Sequence, residues 1–299
     1  MAIQRITILA LGLIGGSFAK ALKAKGFTGE IVGWGRREAS LAKGLELGLI
    51  DRYSLDLAEA ITGADLIVVA TPTLIAADMI KQLAGLVNED VIITDVASVK
   101  GNLLSAAKEA FGKVPANLVL GHPIAGSEKS GVEAAKADLY VNHRVILTPT
   151  VETSPHALQA VAELWELTGA EVVNMPVAEH DEVLAATSHL PHVLAYSLVD
   201  ALAGSPEQQN IFRFAAGGFR DFTRIASSDP TMWKDIALAN SDAILKTIDQ
   251  FTENLATVRQ AIAAGDSDAL MAGFQRAKSA RDIFADMLEQ RNNSDESSE

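Results

Sequence analysis

Four stretches of the sequence carry side chains that can move protons or bind anions. In GHPIAGSEKSG (121–131), His122 follows a β-rich run, where an imidazole can take a proton from an alcohol. Further polar contacts to a carboxylate can come from the hydroxyl and N–H groups of Gly126, Ser127, Ser130 and Gly131. The alternative for His122 is a loop residue that caps a backbone carbonyl.

The stretch TDVASVKG (94–101) follows another β-rich run and contains Ser98. If that run is a parallel strand, Ser98 lies at its carboxyl end, where ligands bind in such sheets. Ser98 can equally be the N-cap of the helix predicted to start near Lys100.

The stretch TSHLPH contains Ser188, His189 and His192. The two imidazoles are three residues apart and share a face if the segment is helical. No third metal ligand is evident, so we predict no metal site and interpret both as donors to an anionic substrate. Pro191 fits a first helical turn, which would place these groups at a helix N-terminus.

Further on, GGFRDFTRIASSDPTMW carries Arg220 and Arg224 four residues apart. An arginine can bind a carboxylate through two hydrogen bonds. One of the two can instead pair with Asp221. Trp233 fits the core or an interface better than a cofactor contact.

The elements that must position these groups change type along the chain. Seven β-rich runs, the fifth of which is NLVLGHP (117–123), alternate with helical patterns up to Pro176, which predicts a doubly wound, mostly parallel sheet. From residue 178 to about 289 the pattern is helical, with helices predicted over 181–201, 232–264 and 266–288. Many of their faces are apolar, which fits a dimer interface. We therefore predict an α/β domain over 1–176, a helical domain over 177–290 and a disordered tail over 291–299.

The turn after the first run, ILALGLIGGSF (8–18), resembles the dinucleotide-binding pattern G-x-G-x-x-G. Gly12 and Gly15 fill its second and third places, and Ala10 stands at the first. We expect Ala10 to be tolerated if its φ is negative. The alternative is a flavodoxin-like turn that binds nothing.

The phosphates of a dinucleotide would lie at the N-terminus of the following helix. The predicted contacts are made by Gly12, Leu13, Ile14 and Gly15, and by Thr71 at the end of the third predicted strand.

The end of the second predicted strand, GWGRRE, bears on the choice of nucleotide. Gly35 stands where NAD sites usually have an acid, and Arg36 and Arg37 can bind a 2′-phosphate. The sequence therefore favours NADP, with NAD possible. The alternative is that both arginines are solvated and Glu38 binds the ribose.

Bulk composition excludes several classes of protein. The 299 residues carry a formal net charge of −13 and no cysteine. A nucleic-acid partner would need a basic face, and the negative net charge argues against one. Because the sequence has no cysteine, disulfides and thiolate metal sites are excluded. We find no leader segment and no apolar run long enough to span a membrane, so we expect a cytoplasmic protein.

In combination, these motifs resemble the prephenate dehydrogenase family, which includes arogenate and cyclohexadienyl dehydrogenases. The resemblance extends from Ile6 to about Leu288 through motifs that include LGLIGGS, TDVASVKG, GHPIAGSEKSGVEAA and HDEVLAATSHLPH. It implies a Rossmann-type domain followed by an all-helical dimerisation domain, in a homodimer. It also implies oxidative decarboxylation of prephenate, or of arogenate, in tyrosine biosynthesis.

The resemblance also implies roles for the residues singled out above. His122 would accept the proton of the C4 hydroxyl, and Ser98 would orient that hydroxyl. Arg224 would bind the ring carboxylate. His192 would bind the substrate side chain, with Ser188, His189 and Ser127 as further polar contacts.

Two other classes of function are compatible with parts of the sequence. A β-hydroxyacid dehydrogenase or imine reductase also pairs a Rossmann domain with a helical one, but SHLPH and FRDFTR fit those enzymes poorly. The second class is a nucleotide-sensing protein without catalysis, and Ala10 at the first glycine place of the turn is the feature that favours it.

Overall fold

The computed structural model describes residues 3–127 and 129–296. They form two sheets and thirteen α-helices. By their internal contacts they fall into two compact units, the first ending at Ile244 and the second beginning at Leu245.

Within the described part of the chain, all strands lie before residue 175. In chain order they are β1 (Arg5–Leu9), β2 (Glu30–Trp34), β3 (Arg52–Ser54), β4 (Leu66–Val69), β5 (Ile92–Asp95), β6 (Leu118–Val119), β7 (Gly121–Pro123), β8 (Arg144–Leu147) and β9 (Glu171–Asn174).

Six of these strands form one parallel sheet in the order β3-β2-β1-β4-β5-β6. The strand order reverses between β1 and β4, and in such sheets ligands bind beyond the carboxyl ends at this point. The other three form a second sheet, in which β7 pairs antiparallel with β8 and β8 pairs parallel with β9. The predicted doubly wound α/β fold followed by a helical region is confirmed.

Helices connect most of the strands and follow the last one. Before residue 176 they are α1 (Leu13–Ala24), α2 (Glu38–Glu46), α3 (Leu57–Ile61), α4 (Thr73–Leu83), α5 (Gly101–Phe111), a 3₁₀ turn (Val132–Ala134) and α6 (Pro155–Leu167). After it come α7 (Val177–Leu184), a π-helical turn (Ala185–His189), α8 (Leu190–Ala203), α9 (Gln208–Arg213), α10 (Gly217–Thr223), a 3₁₀ turn (Arg224–Ser227), α11 (Pro230–Ala239), α12 (Ser241–Ala264) and α13 (Ser267–Glu296).

The parallel sheet is buried on both faces because its strands are apolar at consecutive positions. Side chains alternate across a strand, so Ile8 and Val68 join one apolar cluster while Ile67 and Val69 join the other. Helices cover both clusters, which leaves the strand ends as the accessible part of the sheet.

Two strand predictions are wrong in detail. Strand β3 has only three residues and no continuous apolar run, so the pattern did not reveal it. The predicted strand NLVLGHP divides after Val119 into β6 and β7, which belong to different sheets. His122 therefore lies in a short strand of the second sheet and not at the end of the first.

Two helix predictions also need correction. The helix predicted over 232–264 is interrupted at Asn240, whose backbone leaves the helical region. The last helix continues to Glu296, into the segment predicted to be disordered from 291, and residues 297–299 of that segment lie outside the described residues. The change from mixed to purely helical structure falls between Asn174 and Val177.

Candidate active site

The turn between β1 and α1 leaves an open surface at the N-terminus of α1. A Cβ added at Gly12 would meet no atom within 4 Å, whereas one at Gly15 would lie 2.9 Å from the carbonyl oxygen of Ala10 and 2.9 Å from Ile8. Gly15 is thus required by helix–strand packing, and Gly12 leaves space for a ligand. The first turn of α1 holds no acidic residue that would oppose an anion at its positive end.

Ala10 does not have the negative φ that we expected. Its φ is +73°, in the left-handed region that favours glycine. Its N–H donates a 2.8 Å hydrogen bond to the carbonyl of Trp34, which ties the turn to the end of β2. The alanine therefore occupies the geometry that a glycine would have, at an energetic cost of about 1–2 kcal/mol.

Thr71 lies just beyond β4, beside β1 in the sheet. The residue is 8% exposed and its Oγ1 has no hydrogen-bond partner among the described residues. Leu13 and Ile14 are half-buried in the first turn of α1. An open helix N-terminus and a buried hydroxyl without a partner fit a phosphate-bearing dinucleotide.

At the end of β2, Gly35 is followed by Arg36 and Arg37, both exposed. A Cβ at Gly35 would make only ordinary contacts, the nearest at 3.7 Å, so packing does not forbid a larger residue there. The hydroxyl of Tyr53 donates a 3.3 Å hydrogen bond to the carboxylate of Glu38, which engages the group considered above as a ribose ligand.

His122 lies in β7 and contacts a second histidine that we did not single out from the sequence. Its Nδ1 is 2.9 Å from Nε2 of His180, and Nδ1 of His180 is 2.8 Å from Oδ1 of Asp181. His180 is fully buried. His122 is thus part of a hydrogen-bonded chain of two imidazoles and a carboxylate, not a loop residue capping a carbonyl.

Asp181 also accepts hydrogen bonds from the backbone at the N-terminus of α5. The backbone N–H groups of Lys100 and Gly101 donate to its two oxygens at 2.9 and 2.8 Å. The N-cap position of α5 is Lys100, so the alternative role of Ser98 as N-cap is not realised. Ser98 is half-buried in the segment between β5 and α5.

A buried ion pair joins β5 to β7. The ammonium of Lys100 contacts the carboxylate of Asp95 and donates to the carbonyl of Gly121 at 2.6 Å, and both side chains are completely buried. The N–H of Gly121 returns a 3.1 Å hydrogen bond to Asp95. The pair fixes the residue next to His122. It was not predicted, because nothing in the local sequence TDVASVKG indicates that both side chains are buried.

Burial is the main determinant of the charge on His122. Removal from water lowers the pKa of His122 well below its ordinary value, and the nearby His180, Lys100 and His189 lower it further. The imidazole is therefore neutral at pH 7 and able to accept a proton.

His189 lies in the π-helical turn and is 1% exposed. The amide of Asn240 lies 3.2 Å from its Nδ1. Burial lowers the pKa of His189 to about 4. At neutral pH this ring is therefore uncharged.

His192, in α8, stacks on Trp233 with ring centroids 3.5 Å apart. Its Nδ1 donates a 2.9 Å hydrogen bond to the carbonyl of Ser188. Burial, together with the charge of Arg224, lowers the pKa of His192. The ring can therefore act as a donor toward a ligand only when it is protonated, and as an acceptor otherwise.

Pro191 lies in the first turn of α8, as predicted, but this turn is not a free helix N-terminus. The chain is helical from Val177, and the π-helical turn widens it just before the proline, which cannot donate to the helix. His189 and His192 consequently do not lie at a free helix N-terminus.

The remaining predicted residues lie on exposed segments. Arg224 begins the 3₁₀ turn after α10 and is close enough to His192 to affect its charge. Arg220 forms a 3.0 Å ion pair with Asp221, one of the alternatives considered for this pair of arginines. Ser127 is exposed, and its Oγ accepts a 3.2 Å hydrogen bond from the N–H of Lys129.

Two further features concern the described residues as a whole. They contain no group of three or more His, Asp or Glu side chains arranged to hold a metal ion. None of their helices combines the length and the apolar character needed to cross a membrane.

Comparisons with known proteins match nearly the whole chain. The family model described as "Prephenate dehydrogenase, nucleotide-binding domain" matches residues 18–174, and "Prephenate dehydrogenase, dimerization domain" matches residues 176–276. A cyclohexadienyl dehydrogenase from Zymomonas mobilis is 37% identical over 93% of this chain and 95% of its own length.

Solved structures give the same result. Prephenate dehydrogenase from A. aeolicus, in complex with hydroxyphenyl propionate and NAD+, is 37% identical with a TM-score of 0.88, over 95% of this chain and 99% of that one. Synechocystis arogenate dehydrogenase is 29% identical with a TM-score of 0.80, over 94% and 99%.

Proposed function

This chain belongs to the prephenate dehydrogenase family, and we propose that it catalyses the oxidative decarboxylation of prephenate to 4-hydroxyphenylpyruvate in tyrosine biosynthesis. Arogenate is proposed as a second substrate. The observation that carries the proposal is the neutral imidazole of His122, held by His180 beyond the sheet that bears the nucleotide-binding turn.

A nicotinamide nucleotide, when bound, supplies the ring that takes the hydride from C4 of the substrate. The groups assigned to hold it are the N-terminal turn of α1 from Gly12 to Gly15, the hydroxyl of Thr71 and the end of β2. The open surface at Gly12 and the unpartnered Oγ1 of Thr71 support this assignment.

In the proposed mechanism, His122 takes the proton of the C4 hydroxyl as C4 loses its hydride. The bond from C1 to the carboxylate then breaks, carbon dioxide leaves, and the electron pair enters the ring, which becomes aromatic. The C4 oxygen, which carries the resulting negative charge, takes a proton back from His122 to give the phenol. Aromatisation supplies the driving force, so the chain must mainly align the substrate and provide a base. Ser98, at the carboxyl end of β5, is assigned to orient the hydroxyl.

Arg224 and His192 are assigned to the two anionic parts of the substrate, the ring carboxylate and the side chain. His192 donates from Nδ1 to Ser188, which leaves Nε2 for the ligand. A neutral ring can accept from the ammonium of arogenate, whereas a protonated ring can donate to the keto acid of prephenate. This dual capacity supports activity on both substrates. Ser127, Ser188 and His189 remain proposed as further polar contacts.

Preference for NADP over NAD is part of the proposal. The end of β2 lacks a carboxylate at Gly35, and the two exposed guanidinium groups of Arg36 and Arg37 can pair with a 2′-phosphate. The hydrogen bond from Tyr53 to Glu38 further supports this preference, because it occupies the carboxylate that would otherwise bind the ribose of NAD.

We also propose a cytoplasmic homodimer with a domain boundary near 176. The match to a dimerization domain supports the dimer. Large apolar side chains are exposed along α12 and α13, including Leu255 at 53%, Ile262 at 63% and Phe274 at 60%, and such side chains usually become buried in an interface.

The test is steady-state oxidation of prephenate at saturating concentration, with NADP and NAD varied in parallel. The reaction is monitored by the absorbance of the reduced nucleotide. We expect turnover with both and a higher kcat/KM for NADP. A higher value for NAD would overturn the cofactor preference alone. Absence of turnover on both prephenate and arogenate would overturn the proposed function.

A further inference from the structure

We infer that His180 and Asp181 are positioning residues that hold His122 with its proton on Nδ1 and so leave Nε2 bare for the substrate hydroxyl. The tautomer is a property of the free protein, and only its use on the hydroxyl rests on the proposed function. The inference follows from the order of donors and acceptors along the chain from Asp181 to His122.

The chain starts at a carboxylate that can only accept. Asp181 receives backbone N–H groups from Lys100 and Gly101 on its two oxygens. Burial would raise the pKa of Asp181, but these bonds and the one from His180 outweigh it and lower the pKa below its ordinary value. An ionised carboxylate requires a donor opposite it, so Nδ1 of His180 carries a proton.

The second link is between the two imidazoles. A neutral His180 with its proton on Nδ1 has a lone pair on Nε2. That atom is 2.9 Å from Nδ1 of His122, so Nδ1 of His122 must be the donor. The proton that would otherwise occupy Nε2 of His122 is thereby excluded from it. A neutral histidine has one bare nitrogen, and this arrangement makes it the one that His180 does not contact.

The same chain stabilises His122 after it has accepted a proton. The groups facing His122 are His180, Lys100 and His189, and the positive charge of Lys100 opposes a second cation there. When Nε2 gains the hydroxyl proton, the N–H bond at Nδ1 can break as one forms at Nε2 of His180. The positive charge then lies on His180, in hydrogen-bond contact with the carboxylate of Asp181.

Asp181 also has a structural role, which any test must separate from positioning. It binds the first N–H groups of α5, and its backbone carbonyl accepts a 2.8 Å hydrogen bond from Asn240. Loss of activity alone would therefore not distinguish the two roles. The position of the proton on His122 does distinguish them, because packing does not determine it.

The test is ¹⁵N NMR of the full-length protein labelled at histidine, which has only six imidazoles to assign. We expect His122 to show a protonated Nδ1 and a bare Nε2 in the free protein. In Asp181→Asn and His180→Gln we expect this pattern to be lost or mixed. The matched control is His143→Gln, since His143 is exposed and its Nδ1 bonds the carbonyl of Val141.

Kinetics supply the second readout. We expect kcat on prephenate to fall by about 10²- to 10⁴-fold in Asp181→Asn, the range seen when a base loses its correct tautomer, with KM changed less than threefold. His143→Gln should leave both unchanged. Circular dichroism and nucleotide binding establish whether each variant is folded. If Asp181→Asn is not folded, His180→Gln replaces it in the kinetic test.

A proton on Nε2 of His122 in the unsubstituted protein would overturn the inference. So would folded variants of both positions that keep the original tautomer and kcat. If the protein fails to oxidise prephenate or arogenate while His122 carries its proton on Nδ1, the proposed function fails and the tautomer assignment stands.

Discussion

The nucleotide-binding turn and the histidine cluster are built in opposite ways. The turn uses consecutive residues between β1 and α1, with an open surface at Gly12. The cluster joins residues far apart in sequence, with a separation of 58 positions from His122 to His180 and of 81 from Lys100 to Asp181. A local site reveals itself as a motif, whereas a distributed one requires the fold to bring its members together.

The two regions also differ in how much water reaches their charges. Arg36 and Arg37 are exposed, so solvent and salt screen them. His180, Asp95 and Lys100 are fully buried, and their interactions are correspondingly strong. If this contrast is correct, substitutions in the cluster should have larger effects than substitutions at the turn.

The largest effect is expected for His122→Asn. Removal of the proposed base should lower kcat on prephenate by about 10²- to 10⁴-fold while NADP affinity, measured by calorimetry, stays within twofold. The exposed His143→Asn is the control. Turnover close to that of the unsubstituted chain would remove His122 from the mechanism.

Arg224→Ala should come next. Loss of a charge-assisted bond to the ring carboxylate is expected to raise KM for prephenate by about 10- to 100-fold, from about 1.5–3 kcal/mol of binding energy. The KM for NADP should change less than twofold. Arg220→Ala is the matched control, because Arg220 is exposed and pairs with Asp221. Equal increases in both KM values would contradict the role assigned to Arg224.

At the turn, the double variant Arg36→Ala, Arg37→Ala is expected to have a smaller effect. KM for NADP should rise by about 3- to 10-fold, because exposed guanidinium groups lose part of their interaction to solvent. KM for NAD, which lacks the 2′-phosphate, is the internal control and should stay constant. A loss shared by both nucleotides would mean that the arginines do not select between them.

The pH dependence of kcat should show the burial of the cluster. For an imidazole with a pKa of about 6.5, the fraction in the basic form would decrease about fourfold between pH 8 and pH 6. Because burial lowers the pKa of His122, its basic form persists as the pH falls, and kcat at saturating prephenate should change less than twofold over this range. A fourfold decrease centred near pH 6.5 would show that His122 retains ordinary basicity.

The smallest effect is expected for Ala10→Gly. Relief of the positive φ at Ala10 should stabilise the fold, and the greater freedom of glycine in the unfolded chain offsets part of the gain. We expect a net stabilisation of up to about 1 kcal/mol in urea unfolding. Ala39→Gly, within helix α2, should instead destabilise by about 0.5–1 kcal/mol. Destabilisation by both would contradict strain at Ala10.

Much of the first half of the fold could be predicted because its signals are local. Apolar strands bounded by turns and helical patterns gave the order of most elements, and Gly12 and Gly15 marked the nucleotide-binding turn. Strand β3 was not predicted because three residues are too few to show a periodic pattern. The division of NLVLGHP was not predicted because it depends on which sheet each half joins.

The candidate site was predictable only in its parts. His122, His192 and Arg224 could be named from residue type and motif. His180, Asp181 and the Asp95–Lys100 pair were missed, although the motifs HDEVLAATSHLPH and TDVASVKG contain all four. A histidine beside an aspartate on a helix is most simply interpreted as a solvated pair, since nothing nearby in the sequence indicates burial.

By itself, the sequence determined the fold class, the family and the residue types available for chemistry, because apolar periodicity and short motifs act over a few neighbouring residues. The tertiary structure decided which imidazole faces His122, that Lys100 and Asp95 are buried together, and that Ala10 has a positive φ. Each of these depends on removal from water or on backbone geometry that distant segments impose. Charge state and proton position follow from those two conditions, so they are settled only when the chain is folded.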